Sequence, residues 1–361
     1  MYKVHCMNNI ATVGTDQLGD DYELTSELDD ANAILVRSAK LHEVEFPKTL
    51  LAIARAGAGV NNIPLDRCAQ EGANANAVKE LVLAGMLLAC RDIVGGIEWV
   101  HDNSDDPEVG KKAEKAKKQF AGHELAGKTL GVIGLGAIGA NVANAARALG
   151  MKVMGYDPYL SINAAWSLDR SIKHVTDVND IYAQADFITV HVPATDQTRG
   201  LVGRDAIARM RAGVVFVNYA RDVLVDEQAM AEALASGKVA RYVTDFANPA
   251  SANMKNAIVT PHLGASTAEA EDNCATMAVN ELRDYIENGN VRNSVNFGAV
   301  DLGPIAGDGR IAIFHKNVQG MIGGITQVLA ETDLNIENMA NKSRGDNAYT
   351  LLEVTGKLDD S

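Results

Sequence analysis

The sequence predicts an α/β protein made of two doubly wound parallel-sheet domains followed by a small βαββ unit. Three observations predict it. Short apolar runs alternate with helical stretches over residues 1–70 and again over 128–259. Two long helix-forming stretches, 73–93 and 268–288, follow these blocks, and from Arg310 the pattern changes to strand, helix, strand, strand.

In the first block, Ala33-Ile34-Leu35-Val36 and Leu51-Ala52-Ile53-Ala54 are continuous apolar runs of the kind that parallel strands buried on both faces require. A helix opened by Pro64 closes near Glu71-Gly72, and the next starts at once with Ala73-Asn74, so one βα repeat lacks its strand. Either this repeat is abbreviated or residues are missing between Glu71 and Gly72. The stretch 73–93 has a broad apolar face suited to a helix bridging two domains. Five apolar runs then predict the second sheet: 128–133, 152–156, 187–190, 214–217 and 257–259. After the helix at 268–288, Val291 to Asn296 is placed to return the chain to the first domain. The last unit reads as Ile311 to Phe314, a helix from Met321 to Glu331, Leu334 to Ile336 and Tyr349 to Val354. Its single helix leaves one sheet face poorly covered.

With 361 residues, 47% of them hydrophobic, the chain is long enough to bury several cores. A formal charge of −14 provides no field for nucleic acid or anionic lipid. The one basic run, Lys111 to Lys118, is broken by Ala and Glu and reads as a solvated helix face. The N-terminus lacks a signal-peptide pattern, and the longest apolar run, Leu81 to Cys90, is too short to span a bilayer, so a cytoplasmic protein with no membrane partner is expected. Cys6, Cys68, Cys90 and Cys274 have no metal-ligand spacing; free thiols and no metal are expected.

Gly134-Leu135-Gly136-Ala137-Ile138-Gly139 follows the run ending at Ile133 and opens a helix reaching Leu149. Glycines alone are weak evidence. In this order, however, the first allows a tight turn, the second lets backbone approach a pyrophosphate, and the third permits close helix packing. Asp157, 18 residues beyond Gly139, ends the next strand, where a carboxylate accepts ribose hydroxyls and repels a 2′-phosphate; this favours NAD over NADP. A simple Asp-Pro turn is the alternative. For His191-Val192-Pro193, lining the adenosine and satisfying a strand end are equally good readings.

Arg221 and His262 each follow a strand, in Asn218-Tyr219-Ala220-Arg221 and Thr260-Pro261-His262-Leu263-Gly264. A guanidinium grips a carboxylate bidentately, and an imidazole takes a proton near neutrality, which are the two groups that oxidation of a 2-hydroxy acid needs. An ordinary surface arginine is the alternative for Arg221.

These motifs, in this order, resemble the D-isomer-specific 2-hydroxyacid dehydrogenase family, and the likeness runs from about residue 30 to the end. The resemblance implies a substrate domain split between 1–88 and 266–300, a Rossmann NAD domain at 89–265, and a partial regulatory domain of the ACT type at 309–361. It assigns Arg221 to the substrate carboxylate and carbonyl and His262 to general acid/base work. Gly134, Gly136, Ala137, Ile138, Gly139, Asp157, His191, Val192, Pro193 and Asn218 match cofactor-binding positions, and Asp245 matches the ligand of the nicotinamide amide. Arg37, Ser38, Arg55 and Gly57 match substrate loops, with Lys40 a weaker basic candidate. Within the family the chain is similar to the branch acting on 3-phosphoglycerate at the start of serine biosynthesis. His315, Asn317, Gly320 and Asn335 match positions that bind L-serine between subunits, although turn capping by Asn317 and Asn335 is a comparable reading. Homodimers or homotetramers are implied. One position departs from the family: where a Glu-Pro pair orients the histidine, this chain has Asn248-Pro249, leaving Asp245 or another acid to support His262. A dehydrogenase of another D-2-hydroxy acid, such as 2-hydroxyglutarate, would use Arg221 and His262 identically. A non-catalytic NAD-sensing module would need neither.

Overall fold

The structure, a computed structural model, describes residues 1–57, 75–160, 162–294 and 296–356. The elements run β1 (Tyr2–Cys6), α1 (Thr12–Thr15), β2 (Tyr22–Thr25), β3 (Ala33–Val36), β4 (Ala52–Arg55), α2 (Ala75–Cys90), α3 (Ile93–Asp102), α4 (Val109–Ala116), β5 (Thr129–Ile133), α5 (Ala137–Ala148), β6 (Lys152–Tyr156) and α6 (Ile162–Trp166). Then come β7 (Lys173–His174), α7 (Val178–Gln184), β8 (Phe187–Val190), α8 (Arg204–Arg209), β9 (Val214–Asn218), α9 (Glu227–Ser236), β10 (Val239–Thr244), α10 (Pro249–Ala252), β11 (Ala257–Val259), α11 (Ala268–Asn288), β12 (Gly309–Lys316), α12 (Met321–Leu329), β13 (Asn335–Arg344) and β14 (Asn347–Thr355). Two compact units result, one from residues 1–74 with 267–361 and the other from 75–266. The expected helix at Pro64 and the junction Glu71–Gly72 lie outside the described residues.

The 75–266 unit holds a seven-stranded parallel sheet in the order β11-β10-β9-β8-β5-β6-β7. The chain enters at β5, runs outward to β7, then crosses to β8 on the other side of β5, so the topological switch point lies between β5 and β8. On one face Val78, Val82 and Met86 of α2 and Val142 and Ala146 of α5 bury Leu130, Val132, Val217 and Val243. On the other, Ile181, Ile207, Met230 and Leu234 cover Ile133, Ile188, Val190 and Phe216. The five predicted strands are present, and β7 and β10 add to them. β7 is a two-residue polar edge, and a register shift between Val239 and Arg241 breaks the apolar pattern of β10. The helix expected over 73–93 stops at Cys90, because the Asp92 side chain accepts the Gly95 N–H and opens α3 as a separate helix. The expected boundary at residue 88 falls within α2. In the basic run, Lys111, Lys112 and Lys117 pair with Glu108, Asp106 and Glu114 on the surface.

In the other unit, four parallel strands in the order β2-β1-β3-β4 bury Val4, Ala33 and Leu35 against Cys274, Ala275, Ala278 and Val279 of α11. Thr267 caps that helix through the Ala270 N–H, and Gly289, at φ +69°, ends it. The βαββ unit forms as predicted, as an antiparallel β12-β14-β13 sheet. The expectation of a poorly covered face is corrected. Leu352 and Val354 pack on Leu329 and Ile325 of α12, and on the opposite face Tyr349 and Leu351 are buried with Tyr285, Val291, Phe297 and Val300. The return segment therefore substitutes for a second helix. Among the described residues, no helix is long and apolar enough to cross a membrane.

Candidate functional site

Sheet register sets the geometry of the site. Val259, Thr244, Asn218, Val190, Ile133 and Tyr156 are successive cross-strand partners, so six strands end in one row at the carboxyl edge. His262, Asp245, Arg221, His191, Gly134 and Asp157 all lie one to three residues past that row. Neighbouring strands are about 4.8 Å apart, and in open α/β sheets the crevice beyond this edge is where ligands bind.

Each glycine of the turn has a different constraint. Gly134 sits at φ +91°, and a Cβ there would lie 2.5 Å from the His191 carbonyl oxygen across the switch point. At Gly139 a Cβ would lie 1.9 Å from the Gly134 oxygen, whereas at Gly136 it would meet nothing within 4 Å. Gly136, exposed, is also the N-cap of α5 and supplies no side-chain cap, so the first-turn amides of Ala137, Ile138 and Gly139 are left without an intrahelical acceptor at the positive helix end. That is the cradle a pyrophosphate needs. Asp157, half-buried, accepts the Leu135 N–H at 2.8 Å and the Tyr159 N–H at 2.8 Å. These bonds fix the carboxylate and leave lone pairs for ribose hydroxyls. His191 contacts Thr189 Oγ1 through Nε2 at 2.9 Å, and its Nδ1 is buried without a hydrogen-bond partner. Burial pushes the ring down to about 4, so near neutrality it is uncharged. Val192 and Pro193 follow it out of the sheet, with Pro193 exposed.

Arg221 is half-buried, and its loop is braced by Asn218. The fully buried Asn218 amide donates to the Arg221 carbonyl at 2.8 Å and accepts the Ala220 N–H at 3.1 Å. Asp245 is buried; its Oδ2 accepts the Gly264 N–H at 2.8 Å, its own carbonyl accepts the His262 N–H at 2.8 Å, and Oδ1 has no hydrogen-bond partner. Burial pushes the Asp245 carboxyl above the usual range, opposed by the Gly264 amide and then by the charges of His262 and Arg221. The imidazole and the guanidinium thus both act on one carboxylate. His262 is held at φ +46°, a conformation uncommon outside glycine, and its exposed ring meets the edge of Phe246, with centroids 5.2 Å apart at 78°. Among the described residues, no carboxylate hydrogen-bonds the His262 ring. Asn248 does not stand in for one, since its side chain caps α10 through the Ala250 and Ser251 amides and donates to Glu227 Oε1 at 2.5 Å.

The substrate-loop candidates gather in the 1–74/267–361 unit. Arg55 Nε donates to the Arg37 carbonyl at 2.9 Å and Nη1 to the Gly57 carbonyl at 3.2 Å, while Arg37 ion-pairs with Glu271 in the first turn of α11. Asn8 was not singled out from the sequence, yet its Oδ1 accepts the N–H groups of Arg37, Ser38 and Ala39 at 3.1, 2.9 and 2.8 Å. An Asn two residues past a strand end was the available signal. Lys40 is exposed.

The C-terminal candidates do not converge within one chain. His315 pairs with Ala348 at one end of β14 and Asn335 with Thr355 at the other, about 24 Å along the strand. The His315 ring is engaged by Thr350 Oγ1 and the Lys316 carbonyl, Asn317 donates to Gly345 O, and Asn335 donates to Glu337. Gly320, at φ +86°, opens α12. Among the described residues, no cluster of three metal-ligating side chains occurs, and Cys6, Cys90 and Cys274 are free.

The family model for the D-isomer specific 2-hydroxyacid dehydrogenase NAD binding domain matches residues 83–264. The chain is 37% identical over 291 residues to the D-3-phosphoglycerate dehydrogenase of Methanocaldococcus jannaschii, covering 76% of this chain and 53% of that protein. It is 34% identical over 302 residues to the hydroxypyruvate reductase of Thermotoga maritima, covering 75% of this chain and 94% of that one. A glyoxylate reductase from Paecilomyes thermophila superposes with a TM-score of 0.65 at 26% identity, covering 81% of this chain and 98% of that one. The chain spans about half the length of the phosphoglycerate dehydrogenases it matches.

Proposed function

Because the chain belongs to the D-isomer specific 2-hydroxyacid dehydrogenase family, we propose that it oxidises 3-phospho-D-glycerate to 3-phosphooxypyruvate with NAD. The observation that carries this reading is the single edge on which a glycine cradle, Asp157, Arg221, Asp245 and His262 follow consecutive strand ends. NAD, when bound, would supply the acceptor for the C2 hydride. The α5 amides would hold its pyrophosphate, Asp157 its adenosine ribose, and the unpartnered Asp245 Oδ1 would accept from its carboxamide. Arg221 binds the substrate carboxylate and polarises the C2 oxygen, and His262 takes the hydroxyl proton. His262 is aimed by its backbone bond to Asp245 and its edge contact with Phe246, without a hydrogen-bonded acid among the described residues. Arg37 and Arg55 serve the distal phosphate, and the Gly57 segment the carboxylate.

A second reading is turnover of another 2-hydroxy acid or its oxo form, such as 2-hydroxyglutarate or hydroxypyruvate. The Thermotoga maritima relative, matched over nearly its whole length, favours it. Steady-state assay of NADH absorbance with 3-phosphoglycerate, glycerate, hydroxypyruvate and 2-hydroxyglutarate separates the two. A kcat/KM for 3-phosphoglycerate at least tenfold above the others supports the first, and preference for another acid rejects it. No turnover of any acid beside intact NADH binding returns the chain to a sensing role. Exposed Ile93, Val94, Ile97 and Val100 on α3 support self-association through the 75–266 unit. L-serine is the effector to test against activity, on the resemblance of His315, Asn317 and Asn335.

A further inference from the structure

We propose that Glu271 is a specificity-determining residue, competing with the distal anion of the substrate for the Arg37 guanidinium and so setting how strongly the protein favours a doubly charged tail. The inference rests on the assignment of Arg37 and Arg55 to that tail.

Three charges meet at the start of α11. Arg55 is oriented by the Arg37 and Gly57 carbonyls, Arg37 ion-pairs with Glu271, and the Cys274 thiol one turn along the helix lies within the fields of all three side chains. Among the described residues the cluster therefore brings together two guanidinium groups and one carboxylate. The backbone at Arg37 is pinned by Asn8, which fixes where this side chain starts relative to Glu271. The α11 N-terminus favours a negative charge at Glu271 and keeps the carboxylate in place. Both partners remain reachable, with the Arg37 and Glu271 side chains 43% and 40% exposed. A phosphate ester carries close to two negative charges and prefers a bidentate guanidinium. It must take Arg37 from Glu271 or share it under like-charge repulsion. A neutral tail meets neither obstacle.

The test compares wild-type protein, Glu271→Gln, Arg37→Ala and the double variant on 3-phosphoglycerate and on glycerate, which differs only in lacking the phosphate. Glu271→Gln is expected to raise kcat/KM for 3-phosphoglycerate about fivefold, through KM, as for loss of a half-exposed ion pair, and to leave glycerate unchanged. In the Arg37→Ala background the same substitution should have no effect. Equal shifts on both substrates, no shift, or a gain that survives removal of Arg37 would overturn the inference. If the wild type prefers 2-hydroxyglutarate, the phosphoglycerate assignment fails on its own, and the same comparison is made between 2-hydroxyglutarate and 2-hydroxybutyrate, whose tails differ by one carboxylate.

Discussion

The carboxyl edge of the seven-stranded sheet and the charged cluster around Arg37 place their functional groups by different means. On the edge, backbone does the placing: paired strand ends fix where Asp157, His191, Arg221, Asp245 and His262 emerge. Around Arg37, side chains do it: Asn8 holds the loop, Glu271 holds the guanidinium, and Arg55 spans two carbonyls. A backbone-placed group loses its function chiefly when it is itself replaced, whereas a side-chain-placed group can be retuned from its neighbours. The largest expected effect follows. Arg221→Ala or His262→Asn should lower kcat/KM by about a thousandfold, while Arg37→Ala should cost about tenfold and only on substrates with an anionic tail. Comparable losses at Arg37 and Arg221 in steady-state kinetics would break the distinction.

The glycines sharpen it within the edge itself. Gly139→Ala puts a methyl group where the Gly134 oxygen already lies, so α5 must shift away from β5. Overpacking of this kind costs about 1–3 kcal/mol, or roughly 5 °C in melting temperature for a unit of this size. A Cβ at Gly136 meets no neighbour, so Gly136→Ala should lower the melting temperature less than Gly139→Ala does, yet weaken NADH binding more than tenfold by blocking the approach to the α5 amides. Thermal melts and NADH fluorescence titration read the two effects separately. Equal loss of stability in both variants would mean that Gly136 is a structural residue and not part of a cradle.

Acid should act on the edge through His191. Burial pushes its ring down to about 4 in the folded chain, while the unfolded chain takes up a proton below roughly 6.5. The unfolded state then binds more protons, so stability is fully present above about pH 6.5 and falls as pH drops toward 4, by at most about 3 kcal/mol. His191→Gln should flatten this part of the pH–stability curve in urea unfolding, and an unchanged slope would exclude His191 as its source.

The same contrast explains what the sequence revealed. β5, β6, β8 and β9 were legible because interior strands covered on both faces are largely continuous apolar runs, and the half-buried edge strand β11 keeps the same short apolar pattern. β10 was not, because its register shift and Arg241 interrupt the run, and β7 is too short to carry a pattern. That Gly134, Asp157, Arg221 and His262 lie just past strand ends was legible from their order after apolar runs. Asn8, Glu227 and Glu271 were not, since they act on partners 29, 21 and 234 residues away, and nothing in local pattern records such a pairing. Coverage of Tyr349 and Leu351 by the return segment was hidden for the same reason.

The smallest effect tests whether side-chain placement matters at all in the Arg37 cluster. One carbonyl oxygen of Asn8 serves three successive amides, so Asn8→Ala leaves three donors to find water or twist away. A half-exposed loop can rehydrate, so stability should fall by only about 1 kcal/mol. Released from this anchor, Arg37 should lose its preferred placement beside Glu271 and a bound tail, raising KM for an anionic substrate severalfold while kcat, which the proposed mechanism assigns to Arg221 and His262, stays within twofold. Asn8→Asp separates acceptance from charge: it retains the acceptor and should keep the loop, with a nearly wild-type KM. If both variants leave KM unchanged, the loop is held by the parallel pairing of β3 alone, and the cluster is placed by backbone just as the sheet edge is.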